Sequence, residues 1–266
     1  MTKKSAAAAL TLLLVFGCNS EAQVSARKKP SASGKKAERL TVEVLAEFPH
    51  DRGAFTQGLL WDDGHLWEST GEYGRSTLRQ VDPATGEVRR QVDVDPALFA
   101  EGLALVGDRL IQLTWRSGLA LAYDKASLAV VGQFTYQGQG WGLAWDGRRL
   151  VMSDGSSRLT FRDAETFEAL GTLRVTLDGA PLGSLNELEV VDGWIYANLW
   201  QDDRIVRIDP ESGKVRAVID ASGLLSPMER LTTDVLNGIA YDPDSKTFWI
   251  TGKNWPSMFQ VAFEAP

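Results

Sequence analysis

Phe55-Thr56-Gln57-Gly58-Leu59-Leu60-Trp61-Asp62-Asp63-Gly64-His65-Leu66-Trp67-Glu68-Ser69-Thr70 reads as a strand, a tight turn and a second strand. The turn residues Asp63 and Gly64 are types that accept the backbone angles of a tight hairpin. The phrase Gln57-Gly58-Leu59 returns as Glu101-Gly102-Leu103, Trp141-Gly142-Leu143, Asn186-Glu187-Leu188 and Asn237-Gly238-Ile239. The leading residues stand 44, 40, 45 and 51 positions apart. Each phrase runs into a turn: Gly107-Asp108, Asp146-Gly147, Asp192-Gly193 and Asp242-Pro243-Asp244 repeat the first.

Second strands follow at Leu66 to Thr70, Leu110 to Thr114, Leu150 to Asp154, Ile195 to Leu199 and Phe248 to Gly252. Third strands follow at Leu78 to Asp82, Leu119 to Asp124, Leu159 to Asp163, Ile205 to Asp209 and Met258 to Phe263. A four-stranded unit repeating at this period predicts an all-β, five-bladed β-propeller with four antiparallel strands per blade. The fifth repeat ends after three strands. Leu40 to Phe48 alternates apolar and polar residues, so the N-terminal strand is expected to complete the last blade and close the ring.

The chain has 266 residues, of which 44% are hydrophobic and 24% charged, enough for one large core. One cysteine excludes an internal disulfide and a cysteine-cluster metal site, and His50 and His65 are too few for a His-rich zinc site. Lys3 and Lys4 precede an apolar run from Ala6 to Phe16 that is too short to span a membrane. Its ending, Val15-Phe16-Gly17-Cys18, resembles a bacterial lipoprotein signal with Cys18 as the lipidated residue. Phe16 departs from the small residue usual there, so plain secretion is the alternative.

The expected organisation is a leader over 1–18, a disordered basic linker over 19–39 and the propeller over 40–266. Export follows, to the periplasm or outer membrane as a lipoprotein or otherwise to the medium. Residues 40–266 hold 20 basic and 33 acidic side chains, a balance that argues against nucleic acid as partner.

First strands line the central channel of a propeller, so the leading residues converge at one mouth. Second strands run antiparallel to the first, which brings their ends beside that mouth. The two rings together gather Gln57, Glu101, Trp115, Trp141, Asp154, Asn186, Trp200, Asn237 and Lys253. Such a concave site with aromatic walls and a few polar groups suits a small ligand. Asn186 and Asn237 have a purely structural alternative in strand and turn capping. Trp61, Trp67, Trp145, Trp194 and Trp249 lie inside strands and are expected to pack between blades. The Asp residues that recur with the turns are turn formers. Glu101 differs, because it is the only acid among the five leading residues.

These phrases, with Phe55-Thr56-Gln57-Gly58-Leu59, Phe99-Ala100-Glu101-Gly102-Leu103, Ala197-Asn198-Leu199-Trp200 and Thr251-Gly252-Lys253-Asn254-Trp255-Pro256, resemble the plant-type glutaminyl-peptide cyclotransferases, bacterial branch included. The resemblance covers about residues 40–263. It implies a five-bladed propeller that turns N-terminal glutamine of peptides and proteins into pyroglutamate and releases ammonia. It also implies that Glu101 is the acid/base group, with Gln57, Asn186 and Lys253 as further catalytic residues. Phe55, Phe99, Trp115, Trp141 and Trp200 become the substrate-binding residues. Gln139 stands where many relatives carry Glu.

No metal ligand and no cofactor are expected for the reaction; the sequence leaves room for a structural divalent ion in the channel but does not indicate one. The expected state is a monomer, with a lipid anchor as its membrane contact. Amide and indole N–H groups of Gln57, Asn186 and Trp115 are candidate oxyanion donors beside Lys253. Trp141 and Trp200 are expected to flank the substrate side chain, and Phe55 and Phe99 to form the floor. Two other readings compete: a lactonase-like propeller hydrolase, which needs several acids around an ion, and a non-catalytic envelope propeller.

Overall fold

The computed structural model describes residues 1–2 and 36–266. The leader, most of the linker and the lipidation expected at Cys18 lie outside the described residues. From residue 36 onward the chain is all-β, with one short 3-10 turn at Glu229–Leu231.

A first strand, β1 (Glu38–Pro49), precedes the repeats. The first sheet holds β2 (Thr56–Asp62), β3 (His65–Thr70), β4 (Thr77–Val81) and β5 (Val88–Asp93). The second holds β6 (Ala100–Val106), β7 (Arg109–Thr114), β8 (Leu119–Asp124) and β9 (Val130–Thr135). The third holds β10 (Leu143–Trp145), β11 (Leu150–Ser153), β12 (Arg158–Arg162) and β13 (Ala169–Arg174). A small hairpin of β14 (Thr176–Leu177) and β15 (Ala180–Pro181) follows.

The remaining strands are β16 (Leu185–Val191), β17 (Trp194–Leu199), β18 (Arg204–Ile208), β19 (Val215–Asp220), β20 (Leu236–Asp242), β21 (Thr247–Gly252) and β22 (Ser257–Glu264). With β1 they form one eight-stranded sheet ordered β16-β17-β18-β19-β1-β22-β21-β20. β1 pairs antiparallel with β22 from Thr41 to Pro49, in the fourth-strand place expected from its sequence. It also pairs parallel with β19 over Glu38 to Thr41, a contact that the repeat did not foretell.

The innermost strands pack in a cycle: β2 beside β6, β6 beside β10, β10 beside β16, β16 beside β20 and β20 beside β2. The result is a propeller-like fold of antiparallel sheets around a central axis. Burial falls from the axis outward. β2 and β3 are almost wholly buried, whereas β5 alternates half-buried and exposed residues and β13 is mostly exposed. Hydrophobic clusters lie between neighbouring sheets, as where Leu59, Leu66 and Val81 meet Ala240, Trp249 and Met258. Trp61 stacks on Trp249 at 5.6 Å across that seam, and Phe48 of β1 meets Trp249 at 4.9 Å.

The turns match their residue types. Asp63 and Gly64 both have positive φ, 49° and 75°, as a primed hairpin turn requires. In other turns the aspartate carboxylate caps backbone N–H groups, as Asp82 does for Ala84 and Thr85 and Asp163 for Glu165 and Thr166.

The glycine of the repeated phrase has a packing cause. A Cβ on Gly58 would lie 2.6 Å from Leu103 N on the next inner strand, and one on Gly142 would overlap the Asn186 carbonyl. At Gly58, Gly102 and Gly142 the neighbouring inner strands approach to backbone contact, and no side chain fits there. Gly142→Ala should therefore cost about 1–3 kcal/mol by overpacking. Thermal and urea unfolding would measure this, and an unchanged midpoint would refute the close-approach account.

Candidate active site

Four of the five inner strands open with a register shift: Thr56/Gly58 in β2, Ala100/Leu103 in β6, Leu185/Leu188 in β16 and Leu236/Ile239 in β20. An extra residue at a strand end bends the chain and re-aims a side chain. The leading residues Gln57, Glu101, Asn186 and Asn237 sit at these shifts and are all buried. The second strand of one sheet anchors the leading residue of the next. Ser69 Oγ donates to the Glu101 carbonyl at 2.5 Å and Ser153 Oγ to the Asn186 carbonyl at 2.7 Å. The Gly238 N–H donates to Asn198 Oδ1 at 3.2 Å.

Glu101 is only 4% exposed. Gln57 Nε2 donates to its Oε1 at 3.1 Å, and Asn237 Nδ2 donates to Gln57 Oε1 at 3.2 Å. This chain fixes the Gln57 amide so that its N–H side faces the carboxylate. Glu101 Oε2 has no hydrogen bond among the described residues. Burial pushes the Glu101 carboxyl well above the usual carboxylate range, and the Lys253 charge pulls it partway back. Burial likewise pushes the Lys253 ammonium below its ordinary value, against the attraction of Glu101 and Asp234. The Lys253 backbone is tied on both sides, its N–H to Val235 and its carbonyl to the Asp234 N–H, each at 2.9 Å. Its ammonium lies 4.7 Å over the Phe55 ring.

The aromatic residues form an arc at the mouth. Phe55 meets Phe99 edge-on at 6.1 Å, and Phe99 meets Trp115 at 5.5 Å. Trp141 meets Trp200 edge-on at 5.5 Å. Gln139 joins the two halves: its Oε1 accepts Trp115 Nε1 at 2.8 Å and Trp141 Nε1 at 3.0 Å. Phe55, Phe99, Trp115 and Trp141 are half-buried and Trp200 is exposed, while Gln57, Glu101, Asn186 and Lys253 are buried. The floor is therefore polar and the walls aromatic, so Phe55 and Phe99 belong to the walls and not to the floor expected for them.

Two of the expected oxyanion donors are engaged elsewhere, Gln57 with Glu101 and Trp115 with Gln139. The Asn186 amide and Lys253 remain, and Asn186 Oδ1 is a buried acceptor without a partner among the described residues. Asp154, also expected near the mouth, accepts the Ser156 N–H in its own turn.

Three features escaped the sequence reading. Tyr73 extends the arc, 5.4 Å from Phe99, and was readable only as an aromatic in a loop. Glu187 is a second buried acid beside the leading ring. Its carboxylate accepts the backbone N–H groups of Leu59 at 3.2 Å and Ile239 at 2.9 Å, bridging three inner strands. Burial, and then Glu189, push its carboxyl well above the usual range. Its signal was visible, since it alone replaces the glycine of the phrase. The third is a buried ionic cluster around His50 and Glu68. Among the described residues no group of three or more His, Cys, Asp or Glu side chains is placed to hold a metal ion.

The arrangement offers one buried carboxyl with a free oxygen, one buried ammonium, an orphan amide oxygen and a wall of rings. It can bind a small polar group with a neighbouring amine and move protons on it.

Comparison with known proteins agrees with this chemistry. The sequence model of the family described as glutamine cyclotransferase matches residues 10–263. The chain is 43% identical over 226 residues to a glutaminyl-peptide cyclotransferase of Arabidopsis thaliana, covering 83% of this chain and 70% of that protein. It also matches the crystal structure of Myxococcus xanthus glutaminyl cyclase, with a TM-score of 0.79 and 38% identity, over 87% of this chain and 100% of the other.

Proposed function

The chain belongs to the glutamine cyclotransferase family, and from that premise we propose a metal-independent cyclisation in which Glu101 moves the protons. The enzyme converts the N-terminal glutamine of a peptide or protein into pyroglutamate and releases ammonia. Both reacting groups belong to one residue, so much of the rate comes from holding a near-attack conformer.

Glu101 Oε2 takes a proton from the substrate's α-ammonium and frees its lone pair. The nitrogen then attacks the side-chain carboxamide carbon, and a five-membered ring closes. Glu101 returns the proton to the departing amide nitrogen as its bond to carbon breaks. The proton left on the ring nitrogen goes with the ammonia as ammonium. The single observation that carries this reading is the buried Glu101 carboxyl with one oxygen held by Gln57 and the other free. Its raised affinity for protons brings it closer to the amine it must deprotonate. Lys253 and the Asn186 amide are the donors for the developing oxyanion, where such groups act strongest in a water-poor site. Asn186 Oδ1 accepts from the substrate's amine and so orients it. Trp141 and Trp200 flank the glutamine side chain.

The proposed ring has five blades. The cyclic packing of β2, β6, β10, β16 and β20 supports that count, the eight-stranded sheet being read as two blades bridged by β1 and β19. An experimental structure with another number of inner strands would overturn it.

The test of the activity is incubation with a Gln-initiated dipeptide, scored for ammonia and for a mass loss of one ammonia. Metal independence predicts the same rate after exhaustive treatment with EDTA. A chelator-dependent loss that an added divalent cation restores would refute it and favour the ion-dependent hydrolase reading.

A further inference from the structure

His50 stands directly after β1, and its side chain is enclosed by the last and first sheets. Nδ1 lies 2.9 Å from the Trp255 carbonyl and Nε2 lies 3.0 Å from Glu68 Oε1. Thr251 Oγ1, 3.3 Å from Nδ1, gives its own proton to the Ser257 carbonyl, so every oxygen facing the ring accepts; both ring nitrogens donate and the ring is the imidazolium cation. Burial works against that charge, and Glu68 with the Trp255 carbonyl outweighs it. Glu68 is fully buried on β3. Its Oε1 also accepts Thr56 Oγ1 at 2.7 Å, and its Oε2 accepts Arg79 Nε at 2.9 Å. Arg79 reaches on to Asp51 at 2.8 Å. Two cations and two anions thus close a neutral cluster that no step of the cyclisation uses.

The attachment points of this cluster decide its meaning. Trp255 lies two residues after Lys253, and Thr56 lies one residue before Gln57. His50 and Glu68 therefore join the segment carrying the ammonium to the segment carrying the amide that holds Glu101. Backbone bonds reinforce the same seam: the His50 N–H to the Pro256 carbonyl at 2.8 Å and the Asn254 N–H to the Ala54 carbonyl at 2.6 Å.

We propose that His50 is a positioning residue for the cyclisation: clasped between the Trp255 carbonyl and Glu68, it sets the distance between Lys253 and the Gln57–Glu101 pair across the seam where the ring closes. The inference rests on the reading of Lys253, Gln57 and Glu101 as site residues. A shift of the Lys253 segment by an ångström would leave the aromatic walls in place and spoil the alignment on which turnover depends.

The test compares His50→Gln and Glu68→Gln with Val206→Ala, a buried truncation in β18 that loosens the fold away from the mouth. Circular dichroism first fixes a temperature at which each protein is fully folded. Ammonia release from a Gln-initiated peptide is then measured there. The expected result is a fall in kcat of at least ~10-fold for His50→Gln and Glu68→Gln with KM within about threefold, and wild-type kcat for Val206→Ala. Should His50→Gln fail to fold, the isosteric Glu68→Gln decides. A kcat within about twofold of wild type in either folded variant would overturn the proposal, as would an equal loss in Val206→Ala. Lys253→Met separates the two levels. If it keeps full turnover, the site reading itself falls. If it loses turnover while His50→Gln does not, only the positioning role falls.

Discussion

Glu101→Gln should keep the fold and lose most of the turnover. The replacement is isosteric, and the Gln57 amide can still donate to the remaining carbonyl oxygen. What disappears is the ability to take a proton from the substrate amine and return it to the leaving nitrogen. Each such transfer contributes roughly 10²–10⁴ in rate, so the loss in kcat should be at least ~100-fold. Peptide binding should survive, because the aromatic walls and Lys253 are untouched; calorimetry with a Gln-initiated peptide measures this. Wild-type turnover in the folded variant would remove Glu101 from the mechanism.

The same carboxyl sets the acid limb of the wild-type pH profile. As the base it must be ionised, so activity falls as pH drops through its pKa. Burial raises that pKa, with Lys253 opposing. The limb should therefore lie above the ordinary carboxylate value of about 4.3. A limb at or below that value would contradict the buried setting.

Removing residues 36–48 should abolish the folded state rather than trim it. β1 pairs with β22 along nearly its whole length and with β19 at its start. Without it, two strands become open edges with unpaired N–H and carbonyl groups. Trp249 loses its contact with Phe48, and His50 loses the strand that delivers it to Glu68. Glu68 keeps Arg79 and Thr56 but is short of its His50 partner, and breaking a buried ion pair costs about 3–5 kcal/mol. That is of the order of a domain's whole stability, ~5–15 kcal/mol. Soluble yield, limited proteolysis and thermal melting would show it. A truncated protein with wild-type melting would mean that the other sheets close without β1.

What the sequence made legible was periodic, and what it hid was not. The glycine of the phrase and the Asp-Gly turns are local demands, so they recur and can be seen. Glu101 stood out because it breaks a recurring position with an ionisable group. Glu187 breaks the neighbouring position just as plainly, yet its partners, Leu59 and Ile239, lie on other inner strands and leave no trace near it. The cluster of His50, Glu68 and Arg79 likewise has no period, because it exists only at the seam between the two ends of the fold. The parallel pairing of β1 with β19 has the same origin. The engagement of both indole N–H groups by Gln139 depends on side-chain direction, which spacing along the chain does not carry.

The pairing of β1 with β22 also has a kinetic meaning. It matches residue 42 with residue 263, so the first strand of the fold waits for the last. Contacts between such distant positions must meet the entropy of closing the longest loop before any stability returns, which makes them slow. Until β22 is available, β1 lacks its partner from Thr41 to Pro49, and without Trp255 the His50 clasp cannot form. The growing chain therefore stays unclosed until β22 has been made. An incomplete chain presents unpaired strand edges, which invite aggregation or capture by other factors. The mouth and its proton-moving carboxyl come into being only once the two ends of the folded body have met.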